Sequence, residues 1–326
     1  WPPTAVRVAT ARRSSVGSEL VDVLRHLAGR APRVSSFADL DAWWTSHLKA
    51  CEPYQTSASR AFVGGFHSDR LGYAFLSGYE EAIGSLVPTL RGVRAAFCVT
   101  ESGGASAEAV ETRFTFDGEG YTAEGQKSFV TMGEGAEELL IVGTIGRDDH
   151  ERRKLRVARL PRDRAGLVQQ VGRVAPFAPE IGASTLELRG VRFGQDEMLE
   201  GDGYDDYVKP FRTAEDLHVC AATLGHLMRI GRLAGWGPNE LENIAALAAA
   251  LYPLALAAPL EAPVHVATQG VLRAMNRLID ELPWASVEPL TRQRFERDKP
   301  LLGLARGARQ ARIRSAWRRL GRAERT

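Results

Sequence analysis

The sequence predicts a multi-domain α+β chain: an N-terminal helical domain over 1–96, a small β-barrel over 97–204 and a C-terminal helical bundle over 205–326. Three observations carry that prediction. Apolar residues recur at helical spacing up to about residue 96, the period drops to two between about 97 and 200, and helical spacing returns beyond 205. At 326 residues, 44% hydrophobic and 25% charged, the chain has ordinary globular composition and is long enough to bury its cores without disulfide staples.

Each element follows from local chemistry. Ser15 can cap a helix whose Leu20, Val23, Leu24 and Leu27 form one stripe, closed by Gly29. Ser36 with Asp39 starts a second helix, carrying Leu40, Trp43, Trp44 and Leu48. A third runs from near Ser68 to about Val87 with Gly72 and Gly78 inside it. Interior glycines weaken a helix by roughly 1 kcal/mol each, so close packing is the expected reason for them. In the middle block, Arg113-Phe114-Thr115-Phe116, the turn Asp117-Gly118-Glu119-Gly120 and Tyr121 read as a hairpin. Leu139 to Val142 reads as a buried strand, and Leu155 to Leu160 and Leu186 to Arg189 alternate. Short strands at this spacing suit a small barrel or sandwich. Leu217 to Ile230 is apolar nearly all round, which marks a core helix. The 17-residue uncharged run from Ile244 to Leu260 contains Pro253 and Pro259 and reads as a buried helix pair, with no membrane span expected.

Charge and cysteine usage exclude several function classes. Lys plus Arg is 42 and Asp plus Glu is 40, so the net charge of +2 demands neither nucleic acid nor an anionic membrane. The segment 291–326 holds twelve Arg or Lys against three acids; a solvated last helix, contact with coenzyme A phosphates and contact with nucleic acid are all open readings of it. Cys51, Cys98 and Cys220 form no C-x-x-C pair, so a reducing compartment, the cytoplasm, is expected. The N-terminal stretch lacks both a signal-peptide core and an initiator Met, and reads as a processed form. The seven His have no metal-ligand spacing, and P-loop and nucleophile-elbow patterns are absent.

Four segments in order carry a more specific reading. Phe97-Cys98-Val99-Thr100-Glu101-Ser102-Gly103-Gly104-Ala105-Ser106 resembles the aromatic-C-x-T-E-P-G-A-G-S segment of acyl-CoA dehydrogenases. Gly120-Tyr121 through Gly125-x-Lys127-Ser128-Phe129-Val130-Thr131 resembles that family's G-Y-x-x-x-G-x-K stretch with its aromatic and Thr. Val191-Arg192-Phe193 through Met198-Leu199-Glu200-Gly201-Asp202-Gly203 and, near the end, Arg297-Asp298-x-x-Leu301 with Gly307 are similar to two further family segments. The chain is identified as a divergent, shortened member of that family. The resemblance implies FAD between the β-domain and the C-terminal helices, an acyl-CoA or other acyl thioester as substrate, a homo-oligomer, and a place in fatty acid metabolism. It implies α,β-dehydrogenation, in which a carboxylate takes the α-proton while the β-hydrogen leaves as hydride to flavin N5. It further implies that Phe97, Val99, Thr100, Phe129 and Thr131 surround the isoalloxazine ring, that Ser106 lies near ring and substrate, and that Gly307 lies against the cofactor. Backbone N–H groups and Thr hydroxyls are the donors such a ring edge accepts from.

The base is not where most of the family has it. The family's E-G-T position falls on Arg306-Gly307-Ala308, and arginine stays protonated. Glu215-Asp216-Leu217 followed by Gly225 resembles instead the E-R-L motif of the isovaleryl-CoA dehydrogenase branch. Glu215 is therefore the candidate base, with Asp216 and Arg306 as candidate substrate-side residues. Asp216 adds negative charge where that branch has Arg, which would repel coenzyme A phosphates passing there. Independently, Glu215 stands at the mouth of a helix that must be largely buried, and desolvation raises a carboxyl pKa toward the range of a base. An acid in a first helical turn, with Thr213 as cap, is the plainer alternative, and both stay open.

Two family features are missing. Arg232-Leu233-Ala234-Gly235-Trp236-Gly237 replaces the expected R-x-x-F-G, and no G-G-x-G loop follows. The expected function is thus a flavin-dependent acyl-CoA dehydrogenase-like oxidoreductase; its rival is a catalytically silent relative with a binding or scaffold role. Nucleic acid is not expected as a partner.

Overall fold

The computed structural model describes residues 16–32, 36–171 and 176–321. Among the described residues, four helices come first: α1 (Val16–Ala28), α2 (Leu40–Cys51), α3 (Ser57–Phe66) and α4 (Leu71–Leu86). Val23 and Leu27 of the α1 stripe are fully buried; the Ser15 cap lies outside the described residues. Asp39, not Ser36, caps α2, its carboxylate accepting from the Ala42 amide at 2.8 Å. The helix expected from Ser68 to about Val87 is α4 (Leu71–Leu86), while α3, just before it, was not anticipated. Every residue of α3 is buried, so it offers no polar face against which a stripe could be read. Gly78 of α4 does mark close packing, because a Cβ there would stand 2.5 Å from Val219 Cα.

Seven strands follow: β1 (Ala95–Cys98), β2 (Arg113–Phe116), β3 (Tyr121–Thr131), β4 (Glu138–Arg147), β5 (Arg153–Pro161), β6 (Leu167–Val171) and β7 (Ala183–Phe193). They form one curled sheet, a half-barrel, in the order β1-β4-β2-β3-β7-β6, with β5 paired to β4. The β2–β3 hairpin forms as its turn residues predict, Arg113 opposite Glu124 and Phe116 opposite Tyr121. β3 bulges twice against β7, between Ala123 and Gly125 and between Lys127 and Val130.

Five helices come last among the described residues: α5 (Lys209–Ala234), α6 (Pro238–Ala255), α7 (Ala262–Glu281), α8 (Pro289–Asp298) and α9 (Arg306–Arg319). A π-helical turn, Gly203–Val208, leads into α5, and Asp202 caps it by accepting from the amides of Tyr204 and Asp205 at 2.8 and 2.7 Å. α5 therefore begins before Thr213, which is buried within it and caps nothing. α5 is the spine of the molecule. At Gly65 a Cβ would stand 1.9 Å from Ala222 O, and at Gly225 2.0 Å from Phe62 O, so α3 and α5 touch backbone to backbone. The uncharged run from Ile244 falls on α6, with Pro253 inside the helix, and the turn after it. No helix among the described residues is long and apolar enough to cross a membrane.

Candidate active site

Two of the matched segments are bolted together by a buried ion pair. Lys127, on β3, is fully buried and donates to Glu101 Oε1 at 2.6 Å. Glu101 also accepts from the amides of Glu111 (2.7 Å) and Thr112 (3.1 Å) and from Thr112 Oγ1 (2.8 Å). Burial pushes the Glu101 carboxyl up, but the Lys127 charge and these donors outweigh it and hold the group below its ordinary range. A charge with this many donors is a satisfied buried pair, and it fixes the Glu101 turn against β3.

Next to it are the residues expected around a flavin ring. The Ser128 amide donates to Thr100 O at 2.7 Å, which ties the second β3 bulge to the end of β1. At that bulge Phe129 has φ 55° and is 77% exposed. A non-glycine residue in the left-handed region costs about 1–2 kcal/mol, and a large apolar side chain turned outward recovers little of it in the free chain. Thr131 is two residues further along, partly exposed. The hydroxyls of Thr100, Ser106 and Thr131 bond to no other described residue. Behind this edge Phe97 is buried, with its ring edge-on to Phe211 at 4.8 Å and its amide donating to Tyr79 Oη at 2.8 Å. Val99 is partly exposed beside Thr100.

Glu215 lies inside α5, beyond its first turn, and makes no hydrogen bond or ion pair with a described residue. Burial, then the charge of Asp216, pushes its carboxyl up to about 7, against the pull of Arg312, Arg309 and Arg212. Asp216 is buried and doubly paired: it accepts from Arg312 and lies 3.2 Å from Arg309 Nε. The charge expected to repel phosphates is thus compensated within the chain. Arg212, one turn before Glu215, donates to Ala105 O in the turn between Glu101 and Ser106, so α5 and the ring-side loop are in contact. Arg306 and Gly307 are exposed at the start of α9; Arg306 has no described partner, and a Cβ on Gly307 would meet nothing within 4 Å. The α9 cations that reach Glu215 are Arg309 and Arg312 instead.

No protein-family model matches the chain, and neither does any curated protein. Solved structures do match. Butyryl-CoA dehydrogenase of Megasphaera elsdenii is 15% identical at TM-score 0.69, over 95% of this chain and 99% of that one. Acyl-CoA dehydrogenase of Geobacillus kaustophilus is 14% identical at TM-score 0.63, over 94% and 99%. PigA, solved with FAD and proline, is 13% identical at TM-score 0.69, over 96% and 99%. The chain has the acyl-CoA dehydrogenase fold.

Within this acyl-CoA dehydrogenase fold two departures have structural explanations. Gly235 ends α5 in the left-handed conformation at φ 71°. Trp236 then turns inward, edge-on to Trp284 at 5.8 Å and donating from Nε1 to Ser286 Oγ at 3.2 Å. The segment that replaces R-x-x-F-G is spent on packing its own bundle. Sequence reading also missed a buried polar cluster: His47 and Cys51, one turn apart on α2, meet Glu81 of α4. Helical i, i+4 spacing was the available signal. Arg60 already pairs with Glu81, its Nε 2.8 Å from Oε1, which makes the cluster a neutralised core network rather than an open cation site.

Proposed function

We propose that the chain is a flavin-dependent oxidoreductase that dehydrogenates an acyl thioester between Cα and Cβ, with Glu215 as the base. One observation carries this reading: an unpartnered carboxyl with its pKa pushed up to about 7, inside a core helix that contacts the loop between Glu101 and Ser106. A cap or an ion pair would have spent that carboxyl, and it is spent on neither. The ring-side residues fit an isoalloxazine. Thr100, Ser106 and Thr131 have hydroxyls free to bond its edge, and the outward ring of Phe129 is placed to lie against an aromatic face.

When bound, the flavin supplies the acceptor for the electrons that leave Cβ. The remaining work belongs to this chain. Glu215 takes the α-proton; with a pKa near 7 it is deprotonated in a large fraction at neutral pH while remaining basic enough to accept. Arg212, Arg309 and Arg312 hold its pKa from rising further, so the anion is present to act. With a flavin bound, Phe129 would cover one face of the ring. The likeness to acyl-CoA dehydrogenases extends this proposal to a homo-oligomeric assembly.

Purified protein is expected to be yellow, and an acyl-CoA should bleach it. Glu215→Gln should slow bleaching roughly 100-fold or more, the usual worth of a positioned base. The wild-type rate should rise with pH and level off above about 7, because only the deprotonated carboxylate accepts the proton. Equal bleaching in the variant removes Glu215 from the role. The inward packing of Trp236 favours a second reading, a silent relative with a binding role; colourless protein that takes up no added FAD in calorimetry would select it.

A further inference from the structure

A cavity of about 410 Å³ opens between the start of α5, the start of α7 and the length of α9. Lys209, Arg212, Arg312 and Arg319 line it and no carboxylate does. Lys209 is paired with Asp205 and Arg312 with Asp216, but Arg212 and Arg319 bond only to backbone oxygens, Ala105 O and Leu260 O. Arg212 and Lys209 both lie over the ring of Tyr204, at 5.8 and 5.4 Å, so one wall is a cation-bearing aromatic. A third observation comes from His265, which also lines the cavity. Its Nε2 is 2.8 Å from Pro259 O, while its Nδ1 is buried and has no partner. With Nε2 donating to Pro259 O, Nδ1 is an unfilled acceptor, and such a buried atom is costly unless a donor from outside the chain, such as a water carried in with a ligand, completes it.

We propose that this cavity binds a carboxylate carried on the acyl part of the substrate, making the substrate class a short acyl thioester with a second, anionic end. The inference rests on the reading of Glu215 as base. Arg212 precedes Glu215 by three residues on α5, a rise of about 4.5 Å. An anion held there is a near neighbour of the reacting carbon. A phosphate on coenzyme A or a carrier protein is set too far from the thioester by its pantetheine arm to reach the same place. Arginine forks match a carboxylate edge-on. Ala308 and Ala311 of α9 leave room for the intervening methylenes.

Calorimetry of the purified full chain with glutarate tests the site without reference to flavin, so a failure here is distinct from failure of the redox reading, which absorbance reports. Wild type should bind glutarate with measurable heat at low ionic strength, and Arg212→Gln should bind it roughly tenfold or more weakly. Arg319→Gln, an exposed position, should weaken it by a smaller factor and guards against a misfolded Arg212 variant. Butyramide, with a similar apolar chain and no carboxylate, should bind wild type no better than glutarate binds Arg212→Gln. No heat with glutarate, or equal affinity in wild type and both variants, overturns the proposal. Tighter binding of inorganic phosphate than of glutarate, lost in the same variants, overturns the carboxylate assignment and makes the cavity a phosphate anchor.

Discussion

At the scale of the residue, Glu215 makes stability depend on pH with a definite sign. Its folded-state pKa is raised from 4.5 to about 7, so between those values the folded chain holds a proton that the unfolded chain has released. Folding stability therefore falls as pH rises through that window and is flat above it. Glu215→Gln cannot ionise. It is expected to match wild type below pH 4.5 and to exceed it by up to roughly 3 kcal/mol above pH 7, as read from denaturant midpoints. A variant less stable than wild type at pH 8 would show that the carboxylate is better solvated than its surroundings suggest. Glu215 itself was legible in the sequence through its offset to Gly225. Its surroundings were not, because the charges that tune it, Arg309 and Arg312, enter from a helix more than ninety residues further along. Nor did the sequence show that Glu101 and Lys127 are partners; a separation of 26 residues across a turn and a hairpin has no period to read.

At the scale of the element, α5 shows how a burial pattern is read correctly and its start wrongly. The apolar run from Leu217 identified a core helix, but the polar, acidic residues before it hid the π-helical turn and the true beginning at Lys209. α3 went unseen for the opposite reason, since uniform burial erases amphipathic contrast. The hairpin at Asp117 to Gly120 was plain because turn chemistry is local. Gly225, part of the matched Glu215 motif, has a packing role of its own. A methyl at this position would lie 2.0 Å from a main-chain oxygen that cannot swing aside, so Gly225→Ala should cost about 3 kcal/mol or more. Thermal unfolding checks this, and a loss below 1 kcal/mol would mean α3 can slide away from α5.

At the scale of the whole molecule, the order helices, strands, helices was legible because the apolar period changes twice along the chain. The arrangement of the sheet was not: a parallel β1–β4 pair and an open half-barrel depend on long-range pairing that no local pattern encodes. The closure of the C-terminal bundle is likewise a long-range matter. Asp216 takes both Arg309 and Arg312, so one carboxylate holds α9 to α5. Asp216→Asn leaves two cations facing each other without it. The last helix is expected to loosen, with cleavage by trypsin after residues of 306–319 becoming several-fold faster while cleavage elsewhere is unchanged. An unaltered digestion pattern would show that apolar contacts of α7 and α9 suffice.

The fully buried Lys127 has a practical consequence. The chain has five lysines, and the other four, Lys49, Lys154, Lys209 and Lys299, are all exposed. An amine-acylating reagent applied to native protein should tag those four within its ordinary reaction time and spare the fifth. Peptide mass spectrometry would then follow the late appearance of the tag on Lys127 as a stopwatch for the moments when the sheet parts beside the candidate site, with no mutation or chromophore added.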